Sequence, residues 1–545
     1  MIQNKMVEHE LSILNKLNLN FQHPPKYSTE YENLLDLLNP IVVMTSQDSN
    51  YRETLSSSEE IWKTLSEATG SPKLFDVVIS NTEMKFWYFR MFRGIILLAR
   101  NLSVSNQTCP QKLLIQNKII KSYNHLVLNS KTYDNMETAL YSSSCEFLYN
   151  ISKNAVIFDK TTIDDLVLFL QYPSKHPKIE SLTLPFTLFF SNMVQHDDFL
   201  YYFLKHPDVD KVLYNLLVQQ VTKNHTELFG IINNKDQNTE QISTLSAIQI
   251  TTFSRVISNE SFGSYLQQTE EADTEKFLVY LKIAQVICNS SDRWTKYELT
   301  GIMTWCFRVF EACSDAIQEY FIKQLEEESQ ARILHDKLVI TLDIISKLAQ
   351  FEHVRKFVIF YKGLERLISL LYTFQKNLVR VNFQKDKVGS TDQIKTTDSY
   401  GYKIDDQTKL SQRIDYQSGT IKLTNFPECK SLIVEILTFL TYENTDIQNK
   451  IRELQGLELI LSNCVIDDND PFIKERSIVC IRFLLQNNPE NQDFVAKLEA
   501  KKAIQDDTLA KAGYEVKIDG SGNVGLASSG KIIEEGKLKR KLDKD

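Results

Sequence analysis

Residues 434–454 read VEILTFLTYENTDIQNKIREL, and residues 478–498 read IVCIRFLLQNNPENQDFVAKL. Shifted by 44 positions, the two superpose Phe439 on Phe483, Leu440 on Leu484, Asn444 on Asn488 and Gln448 on Gln492, with the apolar register kept between. A second echo pairs Gly363-Leu-Glu365 with Gly456-Leu-Glu458, 93 positions apart and close to two units of the first. A period near 40–47 residues is that of armadillo or HEAT repeats. The helices of one such unit cannot hide their apolar faces alone, so neighbours must stack.

Outward from this pair, the chain favours helix throughout. No proline occurs between Pro207 and Pro427, and the 545 residues hold only 16 glycines. Interior helix costs of about 3 kcal/mol for Pro and 1 kcal/mol for Gly are therefore seldom met. Apolar residues recur at i, i+3, i+4 and i+7, as in Leu334, Leu338, Leu342, Ile345 and Leu348. No sustained period-2 pattern competes, and the fold class is all-α: an armadillo/HEAT-like solenoid with a small C-terminal β-hairpin. The hairpin is read at Gly513–Leu526, two short strands around a Gly/Asn turn. Four regions follow: helical repeats over 1–374, a mobile polar insertion over 375–425, terminal repeats over 426–499, and a hairpin with a charged tail over 500–545. Residues 385–418, thin in core-type side chains, are expected to be removable with little loss of stability.

Composition narrows the function classes. A net charge of −8 with no long basic stripe speaks against nucleic-acid binding. The greasiest stretch, LTLPFTLFFSNMV at 182–194, is too short for the roughly 20 residues that span a bilayer. The N-terminal residues lack a signal-peptide core, so a cytoplasmic protein with reduced thiols is expected. The eight cysteines form no CxxC pair, and the sequons at Asn101, Asn106, Asn150, Asn224 and Asn289 then carry no message.

Local motifs have structural readings. Gly520-Ser-Gly-Asn-Val-Gly525 fits G-x-G-x-x-G but lacks the helix that would hold a pyrophosphate, and is read as a turn. Asp467-Asp-Asn-Asp470 lacks EF-hand spacing; Asp470 before Pro471 is read as the cap of the helix that follows. Trp62, Trp87, Trp294 and Trp305 are not followed four residues on by Asn, so a peptide groove of the nuclear-import type is not supported. Lys537–Lys541 is a solvated basic cluster.

Residues 426–499 carry a family likeness. Gln448, Asn449, Arg452, Gly456, the Ile466-Asp-Asp-Asn-Asp-Pro-Phe-Ile473 run, Glu475, Ile481-Arg482 and Asn488-Pro-Glu-Asn-Gln492 resemble the C-terminal domain of ataxin-10 and its fungal homologs. Upstream, Phe92–Leu102 and Cys145–Asn150 look like helices of the same family. The resemblance implies a cytoplasmic armadillo-repeat protein without enzymatic activity or cofactor, acting as a scaffold for protein partners in cytokinesis and the cell cycle. One fungal relative bears a copper-transport name, so a copper-homeostasis accessory is the alternative. Against it, no CxC, CxxC or MxxM is present, and Cys306 and Cys313, seven apart, are read as core. Candidate partner-binding residues are Gln448, Arg452, Lys474, Arg482, Asn488 and Asn491, with no catalytic or metal-ligating set. Partners are expected to be proteins, without nucleic acid or membrane insertion, and self-association is left open.

Overall fold

A computed structural model describes residues 2–23, 25–70, 82–105, 118–125, 135–152, 160–175, 182–214, 244–323, 327–383, 394–399, 401–503, 514–518 and 524–528. They are helical almost throughout and fall into two compact units, 1–305 and 306–545, with the boundary inside the helix Lys296–Lys323. Among them, no helix is long and apolar enough to cross a membrane.

In the first unit the long helices stack in chain order. Ser28–Gln47 packs on Thr82–Ser105, which packs on Asn135–Ser152, then Thr183–Met193, Thr244–Ile257 and Thr274–Ser290. Each contributes a buried apolar row, such as Phe92, Ile95, Ile96, Ala99 and Leu102 in the second of them. This is the i, i+3, i+4, i+7 stripe that an amphipathic helix turns toward its neighbours. Contacts between successive helices dominate, as expected of repeats that cover one another.

The second unit bears out the two sequence offsets in its backbone. The helices Cys429–Thr441 and Ile473–Leu485 begin 44 residues apart, and so do Thr445–Glu453 and Pro489–Ala503. Glu352–Phe360 and Thr445–Glu453 begin 93 apart, as do Gly363–Asn377 and Gly456–Ser462. Left-handed residues recur at the same joints: Glu428 (φ 67°) with Phe472 (63°), Glu443 (51°) with Asn487 (57°), and Lys362 (57°) with Gln455 (60°). Such a conformation costs a residue with a Cβ on the order of 1 kcal/mol, so the repeated joints must be held by packing. Directly after two of them, a Cβ at Gly363 would lie 2.6 Å from Val358 Cγ1, and one at Gly456 2.9 Å from Ile451 Cγ2. Glycine is what lets those helices start so close to the preceding ones.

Side chains repeat too. Asn444 Oδ1 accepts from Ile447 N at 3.3 Å, and Asn488 Oδ1 from Asn491 N at 3.1 Å, each capping the second helix of its repeat. Gln448 Nε2 donates to Thr441 O at 3.2 Å, and Gln492 Nε2 to Leu485 O at 2.8 Å. Both amides satisfy a carbonyl that the end of the first helix leaves without an intrahelical donor.

The polar segment 375–425 forms several short elements among its described residues. It starts within the helix Gly363–Asn377, and Arg380–Phe383 then pairs antiparallel with Ile394–Thr397, Arg380 opposite Thr397 and Phe383 opposite Ile394. A helix Gln407–Arg413 and a second short pair, Ile414–Asp415 with Thr420–Ile421, follow. Val379, Val381, Leu410 and Ile414 make a small core, with Phe383, Ile394, Ile404 and Ile421 against it. The buried Arg413 guanidinium donates to Thr424 O. Four apolar residues scattered over 36 positions have no period to show in sequence, yet hairpin geometry gathers them. Tyr514–Ile518 pairs with Val524–Ser528 as the terminal hairpin; its turn at 519–523, with Gly520, lies outside the described residues, as does Lys537–Lys541.

Candidate functional site

The loop 466–471 is the hub of the terminal repeats. Asp467 Oδ1 accepts from Val381 N and Asn469 N, both at 3.1 Å, and its Oδ2 takes the Lys430 ammonium at 2.7 Å. Asp468 Oδ2 accepts from Phe383 N at 2.6 Å. Asn469 receives Asn425 Nδ2 on its side-chain oxygen at 2.7 Å and Glu428 N on its carbonyl at 2.8 Å. The carboxylates of Asp467 and Asp468 are thus bonded to the β-pair and, through Lys430, to the start of the Cys429–Thr441 helix.

Asp470 does not cap its own helix. With Phe472 left-handed, the helix starts only at Ile473, and the Asp470 carboxylate turns back: Oδ1 accepts from Ser431 N at 3.1 Å, Oδ2 from Asn469 Nδ2 at 2.8 Å, and Lys430 Nζ lies 3.3 Å away. Burial alone would lower Lys430, but the charges of Asp470 and Asp467 outweigh it and hold its pKa above the usual lysine value. Burial, with the charge of Asp467, pushes the Asp470 carboxyl up. Lys430 and the buried Arg380 balance the two aspartates, and this is the arrangement in which a buried charge is tolerated.

The six sequence candidates divide. Gln448, Asn488 and Asn491 are buried and bonded to one another: Asn488 Nδ2 donates to Gln448 Oε1 at 3.1 Å and Asn449 Oδ1 at 2.9 Å, Asn491 Nδ2 donates to Leu484 O at 2.8 Å, and Gln448 Nε2 also reaches Phe483 O at 2.9 Å. Arg452 closes this network through Asn449, Asn491 and Glu490. These four side chains lock one repeat onto the next, the three amides buried and Arg452 partly exposed. Lys474 is half-buried, and Arg482 is exposed.

Around Arg482 runs an apolar row that sequence reasoning passed over. Phe472 is 72% exposed, Ile478 50% and Val479 45%, on one side of the Ile473–Leu485 helix. In the preceding repeat the position matching Ile478 is Val434, fully buried, because its helix is covered by Ile473–Leu485. Of the row, Ile478 thus stands where the preceding repeat has a covered residue, while Phe472 and Val479 match Glu428, which is exposed, and Glu435, which is half-buried. Comparing the residues 44 apart would have pointed to Ile478: it matches Val434 in kind, and the two differ in exposure.

A second set of residues was missed in the first unit. Asn101 Nδ2 donates to Val42 O (3.0 Å) and Thr45 Oγ1 (3.2 Å), Asn150 Nδ2 to Arg100 O (3.3 Å) and Ser103 Oγ (3.1 Å), and Asn192 Nδ2 to Tyr149 O (3.0 Å) and Ser152 Oγ (2.9 Å). Each amide ties the end of one long helix to the end of the previous one. The sequons at Asn101 and Asn150 are its trace: the serine two residues on is the acceptor for the next asparagine.

Cys145, Cys288, Cys306, Cys313, Cys429 and Cys480 are buried, with Cys306 Sγ near Thr341 O (3.7 Å) and Cys313 Sγ near Leu334 O (3.3 Å); Cys109 lies outside the described residues. No cluster of three or more metal-ligating side chains occurs among the described residues.

A family model described as the spinocerebellar ataxia type 10 protein domain matches residues 429–527. The chain is 44% identical over 507 residues to the ataxin-10 homolog of Candida glabrata, covering 92% of this chain and 95% of that one. To the homolog of Saccharomyces cerevisiae it is 37% identical over 540 residues, 95% of each. Human ataxin-10 is 41% identical over 91 residues, 17% of this chain and 19% of the human one.

Proposed function

The chain belongs to the ataxin-10 family, and from that premise we propose that it is a non-enzymatic scaffold of the cytoplasm that serves cell division by holding a protein partner on its last repeat. The observation that carries the reading is the uncovered row Phe472, Ile478 and Val479, beside Arg482. Its occupant is an amphipathic helix of the partner, stacked where the next repeat would lie, with acidic residues toward Arg482 and Lys474. Burying apolar surface supplies about 25 cal/mol per Å², and opposite rim charges speed encounter.

The test replaces the chain in its own cells with an Ile478→Asp, Val479→Asp variant. Both positions are half-exposed, so the melting temperature is expected to stay within a few degrees while undivided or multinucleate cells accumulate. Normal division with a folded variant would remove the row from the function. Rescue of the phenotype by added copper would replace the division reading with metal handling.

A further inference from the structure

Between the helices Thr82–Ser105 and Asn135–Ser152 lies a cavity of about 330 Å3 with Arg93, Arg100 and Glu146 in its wall and Thr138, Ser142 and Ser143 beside them. Arg100 pairs with Glu146, and its Nε and Nη2 donate to Asn101 Oδ1 at 3.3 and 3.1 Å, so its fork is in use. Arg93 is different. Its Nε donates to Ser143 Oγ at 3.1 Å, and among the described residues its two terminal nitrogens have no hydrogen-bond partner.

Charge in the cavity is incomplete. Two guanidinium groups share one carboxylate, which leaves one positive charge over. Burial lowers the Arg93 pKa, Glu146 opposes that effect, and the like charge of Arg100 adds to it. A guanidinium stays charged under these conditions, so the half-buried Arg93 presents a charged fork of donors at the recess. The chain as a whole carries −8. Anions are therefore not drawn to its surface in general, and an anion held here is held by local chemistry.

We propose that this cavity is a receptor for a carboxylate side chain on an acidic segment of a partner protein. The terminal nitrogens of Arg93 fit a carboxylate with two parallel hydrogen bonds, and one carboxylate brings the group of charges to neutrality. Ser142 and Thr138 stand beside it as hydroxyl walls. The site is in the first unit and does not depend on the apolar row of the last repeat.

The full-length chain is titrated with a fluorescent peptide of alternating Gly and Glu, its Gly/Gln counterpart and a Gly/phosphoserine peptide. The Glu peptide is expected to bind at least about tenfold more tightly than the Gln peptide, the fold-change that a charge-assisted hydrogen bond supports. Arg93→Gln is expected to erase the difference, and Arg93→Lys to keep part of it, since lysine offers charge without the fork. Ser142→Glu, which sets a carboxylate at the cavity, is expected to block binding and decides the matter if Arg93→Gln fails to fold. Equal binding of the Glu and Gln peptides, or an undiminished preference in folded Arg93→Gln or Ser142→Glu, overturns the proposal. Binding of the phosphoserine peptide tenfold more tightly than the Glu peptide overturns the carboxylate assignment and makes the site one for a phosphoryl group.

Discussion

Asp470 caps a helix of the preceding repeat: its Oδ1 accepts the backbone N–H of Ser431, 39 residues earlier in the chain, at 3.1 Å. The same carboxylate lies 3.3 Å from Lys430 Nζ, so the start of Cys429–Thr441 is fixed by a charge that arrives from another repeat. Lys430→Met leaves Asp467 and Asp470 with Arg380 as the remaining buried cation. Removing one partner of a buried pair costs about 3–5 kcal/mol, and urea unfolding is expected to show a loss of that size. Combining it with Asp467→Asn is expected to recover part of the loss; strictly additive costs would mean that the three side chains are not coupled.

Asn150→Ala removes the amide that joins Arg100 O and Ser103 Oγ. A partly buried hydrogen bond lost in this way is worth about 1–2 kcal/mol. Adding Ser103→Ala to Asn150→Ala is expected to cost less than the sum of the two single changes, read by a double-mutant cycle from denaturant midpoints.

Gly301→Ala is expected to be among the most damaging single methyl additions. Its Cβ would fall 1.9 Å from Ser258 O, a backbone atom that cannot rotate away. Overpacking of this kind costs about 1–3 kcal/mol or more, visible as a lowered melting temperature. Gly401→Ala, where the Cβ meets nothing within 4 Å, controls for space but not for its positive φ of 89°.

Alkaline pH is expected to unfold the chain progressively from about pH 9. Burial pushes the thiols of Cys145 and Cys429 well above the ordinary 9.0, and that of Cys480 up to about 12; Tyr123, Tyr141, Tyr265 and Tyr280 are raised above 10.0 by the same cause. Each folded pKa is raised, so the unfolded chain releases these protons first and binds fewer of them than the folded one. Stability then falls with rising pH, by up to about 1.4 kcal/mol per pH unit for each group inside its window. Lys430, also raised, acts in the same direction above the usual lysine value, where the unfolded chain gives up this proton while the folded one still holds it. A flat denaturant midpoint between pH 8.5 and about 11 would contradict this assignment of buried protons.

Deleting 385–418 is expected to lower stability by several kcal/mol, since Leu410 and Ile414 leave the core they share with Val379 and Val381, and the buried Arg413 is lost with them. Large-to-small changes at single core sites already cost about 2–5 kcal/mol. An unchanged melting temperature would show that this small core adds nothing to the helices beside it.

What sequence made legible was whatever recurs. The offset of 44 showed that two helical units recur, and the structure places their first helices at Cys429 and Ile473, the latter later than the start read at Asp470-Pro471; Gly363 with Gly456 marked joints of the same kind. The hub at 466–471 was visible as a run of acids, but its partners, Val381, Phe383, Lys430 and Ser431, lie 37–86 residues away, and no local rule points from a carboxylate to a distant N–H. Gln448, Asn488 and Asn491 looked like groove amides because a buried amide and a ligand-facing one have the same letters. Only burial separates them. The Arg93 recess forms from two helices whose residues are some 50 positions apart, with no spacing signal in either.

A hydrogen bond that reaches from the end of one helix to the end of the next makes helix length a shared property rather than a private one. Inserting a single residue in Asn135–Ser152 before Asn150 would swing that amide by about 100° and shift it about 1.5 Å along the axis, away from both Arg100 O and Ser103 Oγ, while the next asparagine, Asn192, would still seek Tyr149 O and Ser152 Oγ from a displaced start. Insertions and deletions are thereby driven out of the long helices and into the connections between them. Relatives of this chain that differ in length are expected to differ there, with the count of residues from Asn101 to Ser103 and from Asn150 to Ser152 left untouched.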